Sequence, residues 1–120
     1  MTLKEKIQGL QNLTGYYVCR NKFVAFPDGW TGSKTDYIVY VYSNNKDGND
    51  SDNLPWTETT TIQINYFTKR KNYDDTVKQI KDYLKSNEFE NIYKREFYED
   101  DTKITHIVLE CDYLEYYKEV

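Results

Sequence analysis

The sequence predicts an α+β domain in which a mostly antiparallel sheet packs against two helices, in the order α-β-β-β-α-β-β. Three patterns carry this prediction. An apolar block at residues 37–42 and a period-two alternation at 59–67 are typical of strands, and a stripe with helical spacing follows at 73–84. Two further segments flank the polar residues 99–102 and predict a closing hairpin, and the second of them alternates. A chain of 120 residues can bury one core without disulfide or metal support, so we expect a single domain over residues 1–120.

The first helix is predicted over residues 2–14. Thr2 and Glu5 have the spacing of a capping box, in which each side chain satisfies a backbone donor at the start of a helix. Leu3, Ile7 and Leu10 then share one helical stripe. Gly15 follows as a helix terminator, because glycine adopts the left-handed conformation without steric cost.

The next region predicts short strands and a turn. Residues 16–20 and 22–26 indicate two short strands or one strand bent at Asn21, and the turn signal Pro27-Asp28-Gly29 follows. The block at 37–42 is apolar on both faces, so we place it centrally in the sheet with cover on each side.

Residues 43–53 contain no apolar side chain and therefore predict a mobile loop that projects from the domain. After this loop, residues 54–56 (Leu-Pro-Trp) are predicted to rejoin the folded domain.

The second half of the chain supplies most of the predicted core. Asn72 is the expected N-cap of the second helix, and the hairpin strands are expected at 91–98 and 103–113, with Cys111 facing inward. The residues that we expect to be buried between the sheet and this helix are Ile62, Ile64, Val77, Ile80, Leu84, Ile107 and Leu109.

Composition excludes several classes of function. The net charge of −4 and pI near 5.0 argue against nucleic-acid recognition, which needs a basic surface. The chain has no apolar run of the roughly 18 residues that a membrane span needs, and its start lacks the apolar core of a signal peptide. Cys19 and Cys111 are expected to be reduced thiols in a cytosol. The 13 tyrosines suit strands, and their rings also suit subunit interfaces.

No combination of residues predicts a catalytic, cofactor or metal site. His106 is the only histidine, and Cys111, five residues further along the same strand, points to the opposite face. The segment 47–52 is rich in aspartate, but with Gly48 at position 6 of a helix-flanked calcium loop, position 12 is Leu54 instead of glutamate. The acidic residues 99–101 lack an apolar pocket that would raise a carboxylate pKa. We therefore expect no enzymatic activity and no cofactor.

The order of these elements, with the segments YIVY at 37–40, TTTIQINYFTK at 59–69 and YEDDTK at 98–103 followed by His106, resembles the small tail-terminator (tail-completion) proteins of long-tailed bacteriophages and prophages. The resemblance covers almost the whole chain. It implies a structural protein, made in the host cytoplasm and located in the virion tail, that forms a ring on the end of the tail tube. The ring, usually a hexamer, stops polymerisation of the tail and provides the head-joining surface.

The partners that this resemblance implies are further copies of the chain, the major tail tube protein and a head-completion or connector protein. The candidate assembly-contact residues lie in and just after the polar loop: Asn45, Asp47, Asp50, Asp52 and Trp56. Two alternatives remain open. One is a head-completion or adaptor protein of the same joint, and the other is a small acidic phage-encoded inhibitor that mimics nucleic acid. Lysines interspersed along the chain count against the mimic.

Overall fold

The computed structural model describes residues 1–48 and 56–117. Within them the chain forms a five-stranded sheet in the spatial order β1-β2-β3-β5-β4, with two helices. Neighbouring strands are antiparallel except β1 and β2, which are parallel. The predicted α+β class and order of elements are confirmed. In chain order the elements are α1 (Leu3–Thr14), β1 (Tyr17–Arg20), β2 (Tyr37–Gly48), β3 (Trp56–Thr68), α2 (Asp74–Ser86), β4 (Phe89–Glu99) and β5 (Ile104–Tyr117).

The first helix begins and ends as the sequence predicts. The Thr2 hydroxyl accepts from the Glu5 amide and the Glu5 carboxylate accepts from the Thr2 amide, which completes the capping box. Gly15 has φ = 74° and its amide donates to the Gln11 carbonyl at 2.9 Å. A Cβ at Gly9 would collide with the Tyr83 hydroxyl, so this glycine lets α1 and α2 approach closely.

Both helices pack on one face of the sheet and enclose the core there. All seven residues predicted to be buried between the sheet and α2 are buried, which confirms that prediction. Cys111 is also buried on this face, as expected. The same cluster also contains residues of α1 and further strand residues: Ile7, Leu10, Val18, Ile38, Tyr40, Tyr66, Phe89 and Tyr113.

The prediction of a strand at 22–26 is wrong. Asn21 has φ = 71°, which ends β1 and turns the chain away from the sheet. The following residues pack through their rings: Phe23 stacks on Tyr37 with centroids 4.0 Å apart, and Phe26 and Trp30 contact Tyr17. The predicted turn at 27–29 is confirmed, with the Trp30 amide donating to the carbonyl of residue 27 at 3.0 Å.

The predicted loop at 43–53 is wrong for residues 43–48, which continue β2. Residues 49–53 lie outside the described part of the chain. Polar side chains can form this extension because β3 supplies a backbone ladder on one side of it, so no apolar burial is required. Ser43 is an extra residue between the pairs Tyr42↔Ile62 and Asn44↔Thr61, and this bulge changes the register at the point where the core ends.

The predicted N-cap at Asn72 is also wrong. The N-cap is Tyr73, whose side chain makes no capping hydrogen bond. Asp74 and Asp75 occupy the first turn, where their charges favour the positive end of the helix. The carboxylates therefore stabilise the start of α2 without an Asn cap.

Candidate assembly surface

Strands β2, β3 and β5 extend beyond β1 and form an arm, defined here as residues 43–48, 56–61 and 112–117. The arm makes the molecule elongated, with extents of 53 × 30 × 24 Å. The radius of gyration of the molecule, 16.1 Å, exceeds the value of about 14 Å expected for a compact domain of this length. A projecting arm gives one subunit the reach to contact another.

The arm is stabilised by its ladder and by polar side chains. The Asn45 amide donates to Glu58 Oε1 at 2.7 Å and to Thr60 Oγ1 at 2.9 Å. Across the next pair of strands, Thr61 Oγ1 donates to Asp112 Oδ1 at 2.7 Å. The strands of the arm are therefore joined in a defined register with little apolar burial.

Three of the five candidate assembly residues lie in the arm. Asn45 is exposed, but its amide already bonds to β3. Asp47 is opposite Glu58 in the ladder, and Trp56 begins β3 opposite Tyr117. Asp50 and Asp52 fall outside the described residues, so the structure does not place them.

The second face of the sheet carries a row of stacked rings that sequence analysis did not identify. Tyr37 of β2 stacks on Phe67 of β3 with centroids 4.9 Å apart, and Phe67 stacks on His106 of β5 at 4.3 Å. Phe97 of β4 lies 5.9 Å from His106 and is 49% exposed. With Phe23 against Tyr37, this aromatic row runs from the segment after β1 to the far edge strand.

Strand register produces the row. Tyr37 pairs with Phe67, Phe67 with His106, and His106 with Phe97, so all four side chains project from the same face at the same level. No helix among the residues described covers this face. Aromatic side chains are enriched at protein interfaces, and Phe97 is an exposed ring of this row.

His106 has a packing role within this row. Its Nε2 lies 2.9 Å from Asn65 Oδ1, and the Asn65 amide donates to the Val39 carbonyl at 3.0 Å. Burial lowers the pKa of His106, which favours the neutral form of the ring. Burial raises the pKa of Cys111 to about 12, and this thiol lies on the helix-covered face. The prediction that the two residues face opposite sides is confirmed.

The strand β4 is exposed over most of its length after the buried Phe89. Among the described strands, β4 pairs only with β5, so one side of its backbone has no strand partner. Tyr93 and Tyr98 are 63% and 57% exposed, on opposite faces of this strand. An exposed edge strand is a template for pairing with another chain, and the bulge between Glu90 and Tyr93 limits that pairing to its later part.

No group of three or more His, Cys, Asp or Glu side chains in residues 1–48 and 56–117 is placed to hold a metal ion. None of the helices in this part of the chain is long and apolar enough to cross a membrane. A comparison of the sequence with protein-family models and with curated proteins found no match.

Proposed function

We propose that this protein is a phage tail terminator, a structural protein whose copies form a ring on the end of the tail tube, stop its polymerisation and provide the surface that joins the head. One observation carries the proposal: the aromatic row lies on the sheet face that no described helix covers and ends at Phe97, which is 49% exposed on an edge strand. A surface of this kind suits protein–protein contact. The resemblance of the chain to tail-terminator proteins is the reason for proposing a ring on the tail tube as the assembly.

The shape of the subunit supports a ring. Contact between two different surfaces of identical subunits repeats around an axis and closes into a ring when the rotation permits. The two edges of this sheet differ, because β1 has four residues and β4 has eleven. The arm adds a third, polar surface at one end. A subunit with unlike edges and ends is suited to head-to-tail contact.

The proposal is tested by assembly. Purified protein is examined by sedimentation velocity and negative-stain electron microscopy over a range of concentrations, with and without tail tubes. We expect rings, or decorated tube ends, with a hexamer as the expected oligomer. If no oligomer forms and no tube end is decorated under any condition, the tail-terminator proposal is wrong. Binding to the head connector with bare tube ends would favour the head-completion alternative.

A matched pair of variants assigns the interface. Phe97→Gln removes a ring from the open face, and Leu13→Gln places the same amide at a partly exposed position on the helix side. Phe97→Gln should reduce ring formation, whereas Leu13→Gln should leave it unchanged. Thermal unfolding of both monomers controls for loss of structure. Equal assembly by the two variants would remove the aromatic row from the interface.

A further inference from the structure

A basic cleft of about 470 Å³ lies at the end of the sheet opposite the arm. It lies between the segment that follows β3 and the turn that precedes β5. The side chains that line it include four cations and two aromatic rings: Lys69, Arg70, Lys71, Lys103, Tyr73 and Tyr98. No described carboxylate lines it. In a chain with a net charge of −4, this is a local reversal of charge.

Three of these cations have no acidic partner among the residues that the structure describes. Lys69, Lys71 and Lys103 are exposed, and no described carboxylate oxygen lies within ion-pair distance of their ammonium groups. The acidic residues 99–101 are close in sequence to Lys103, yet they do not line the cleft. The cleft therefore presents uncompensated positive charge to a ligand.

The two segments that bear the lysines are held in place. Arg70 Nε contacts the buried Asp36 carboxylate at 3.1 Å, and Arg70 Nη2 donates to the Tyr66 hydroxyl at 2.8 Å. These bonds fix the chain between Lys69 and Lys71. Lys103 has φ = 61° and its amide donates to the Glu99 carbonyl at 2.9 Å, which fixes the other wall.

Acidic residues occur where β2 ends and β3 begins, at the end of the sheet opposite the cleft. Residues 47–58 contain Asp47, Asp50, Asp52 and Glu58 and no lysine or arginine. This acidic segment includes the residues between the end of β2 at Gly48 and the start of β3 at Trp56.

One chain cannot bring these two regions together. The cleft begins directly after β3 ends at Thr68, and the arm is where β3 begins at Trp56. Thirteen strand residues at about 3.3 Å each separate them by roughly 40 Å. Seven residues join Gly48 to Trp56, and half of that segment reaches at most about 14 Å. An acidic segment that occupies the cleft must therefore come from another molecule.

We infer that the basic cleft binds the acidic segment 47–58 of a second copy of this chain, so that successive subunits contact one another end to end. The inference deepens the proposed ring and depends on it for the identity of the occupant. Lysine ammonium groups and aspartate carboxylates form the contact, and Tyr73 and Tyr98 supply its apolar walls. The contact joins unlike surfaces, as a closed ring requires.

A peptide-binding experiment tests the cleft without requiring a ring. A synthetic peptide with the sequence of residues 43–58 is titrated into the full chain at low salt, and binding is followed by calorimetry. A second peptide has its three aspartates replaced by asparagine. We expect the second peptide to bind at least about tenfold more weakly, because several weak ion pairs are lost together. Equal binding of both peptides, or no binding of the first, would overturn the inference.

Protein variants locate the binding site. Lys71→Glu combined with Lys103→Glu reverses two charges in the cleft, and Lys81→Glu combined with Lys85→Glu makes the same change on α2. The cleft variant should bind the acidic peptide at least about tenfold more weakly, and the α2 variant within about twofold of the unchanged chain. If a short oligothymidylate binds the cleft and the acidic peptide does not, the site is a nucleic-acid site and the inference fails.

The full-length assembly separates this inference from the proposed function. If the cleft variant still forms rings as well as the unchanged chain, the ring stands and the end-to-end contact is wrong. If the peptide binds the cleft but no ring or decorated tube is seen, the ring proposal fails. In a charge exchange, Asp50→Lys with Asp52→Lys is mixed with the cleft variant, and their association should exceed that of either variant alone.

Discussion

Two buried tyrosines on the helix-covered face of the sheet differ in what their hydroxyl groups contact. The Tyr66 hydroxyl donates to Asp36 Oδ2 at 2.7 Å and accepts from Arg70 Nη2 at 2.8 Å. The Tyr40 hydroxyl is equally buried but has no hydrogen-bond partner among the described residues. A buried hydroxyl with no partner costs free energy, whereas one that joins a buried carboxylate to a guanidinium stabilises both.

Removing each hydroxyl should therefore have opposite effects on stability. Tyr66→Phe is expected to lower the free energy of unfolding by about 1–3 kcal/mol, since Asp36 and Arg70 each lose a partner. Tyr40→Phe should be neutral or stabilising, because its ring stays packed and only an unpaired oxygen is lost. Urea denaturation of both variants measures the difference. A loss above about 1 kcal/mol for Tyr40→Phe would show that its hydroxyl is paired.

His106 should make stability depend on pH. Burial lowers its pKa below the usual 6.5, Glu99 opposes this shift and Arg95 adds to it. Below pH of about 6.5 the unfolded chain binds a proton more readily than the folded chain, so the free energy of unfolding falls as the pH falls. His106→Phe keeps a ring in the aromatic row and should show a smaller loss between about pH 7 and pH 5. Identical pH dependence in the two proteins would contradict this origin.

At the scale of elements, α2 holds the sheet through one stripe of side chains. Ile80 lies at the middle of the stripe and is fully buried. Ile80→Ala is expected to cost about 2–5 kcal/mol of unfolding free energy, which is a large share of the stability of a small domain. Lys85→Ala, on the exposed side of the same helix, should change it by about 0.5 kcal/mol or less. A loss below about 1 kcal/mol for Ile80→Ala would contradict the core packing.

The arm should be dispensable for folding but needed for assembly. Within the arm Tyr113 belongs to the hydrophobic core, whereas the described side chains of residues 43–46 and 57–59 contribute nothing to it and are held by polar bonds such as that of Asn45. Replacing residues 46–59 by Asn-Gly closes the hairpin at the Asn45↔Thr60 pair. We expect a folded monomer that has lost less than about 2 kcal/mol of stability and no longer forms rings.

Circular dichroism and sedimentation velocity follow these two properties. Unfolding of the shortened chain would show that the arm is part of the cooperative core. Undiminished ring formation would remove the arm, and with it the candidate residues Asn45, Asp47 and Trp56, from the assembly surface.

Elements whose formation depends on burial could be predicted from the sequence. The apolar side chains around Ile62 on β3 and around Ile80 on α2 are buried against each other. Their spacing in the sequence therefore predicts a strand and a helix. The extension of β2 through Asn45 could not be found in this way, because a ladder with β3 needs backbone groups and not apolar side chains. The predicted N-cap at Asn72 is one residue too early, because the charges of Asp74 and Asp75 stabilise the first turn and no side-chain cap is needed.

At the scale of the whole molecule, the candidate surfaces arise from strands that are distant in sequence. The aromatic row joins Tyr37, Phe67, His106 and Phe97, and its existence depends on the register of four strands. The sequence predicts the hairpin strands but not their register. The alignment of the four rings therefore could not be predicted from it. The basic cleft likewise combines a connection after β3 with a turn before β5. Of the three surfaces, only the arm includes residues that the sequence analysis proposed as assembly contacts. The aromatic row and the basic cleft were recognised only in the folded structure.

These surfaces differ in the force that would hold two subunits together, and salt should separate them. Contacts between the acidic segment 47–58 and the cleft lysines are exposed ion pairs, which are screened as the Debye length falls from about 10 Å at 0.1 M to about 3 Å at 1 M salt. Contacts through the aromatic row bury apolar surface and are not screened. Self-association of the unchanged chain should therefore weaken from about 0.1 M to 1 M NaCl without disappearing.

The Lys71→Glu, Lys103→Glu chain should associate weakly at low salt and lose no further affinity as salt rises. Phe97→Gln should leave a residual association that salt abolishes. Sedimentation equilibrium at each salt concentration measures all three, and a cleft variant as salt-sensitive as the unchanged chain would show that the charged contact lies elsewhere.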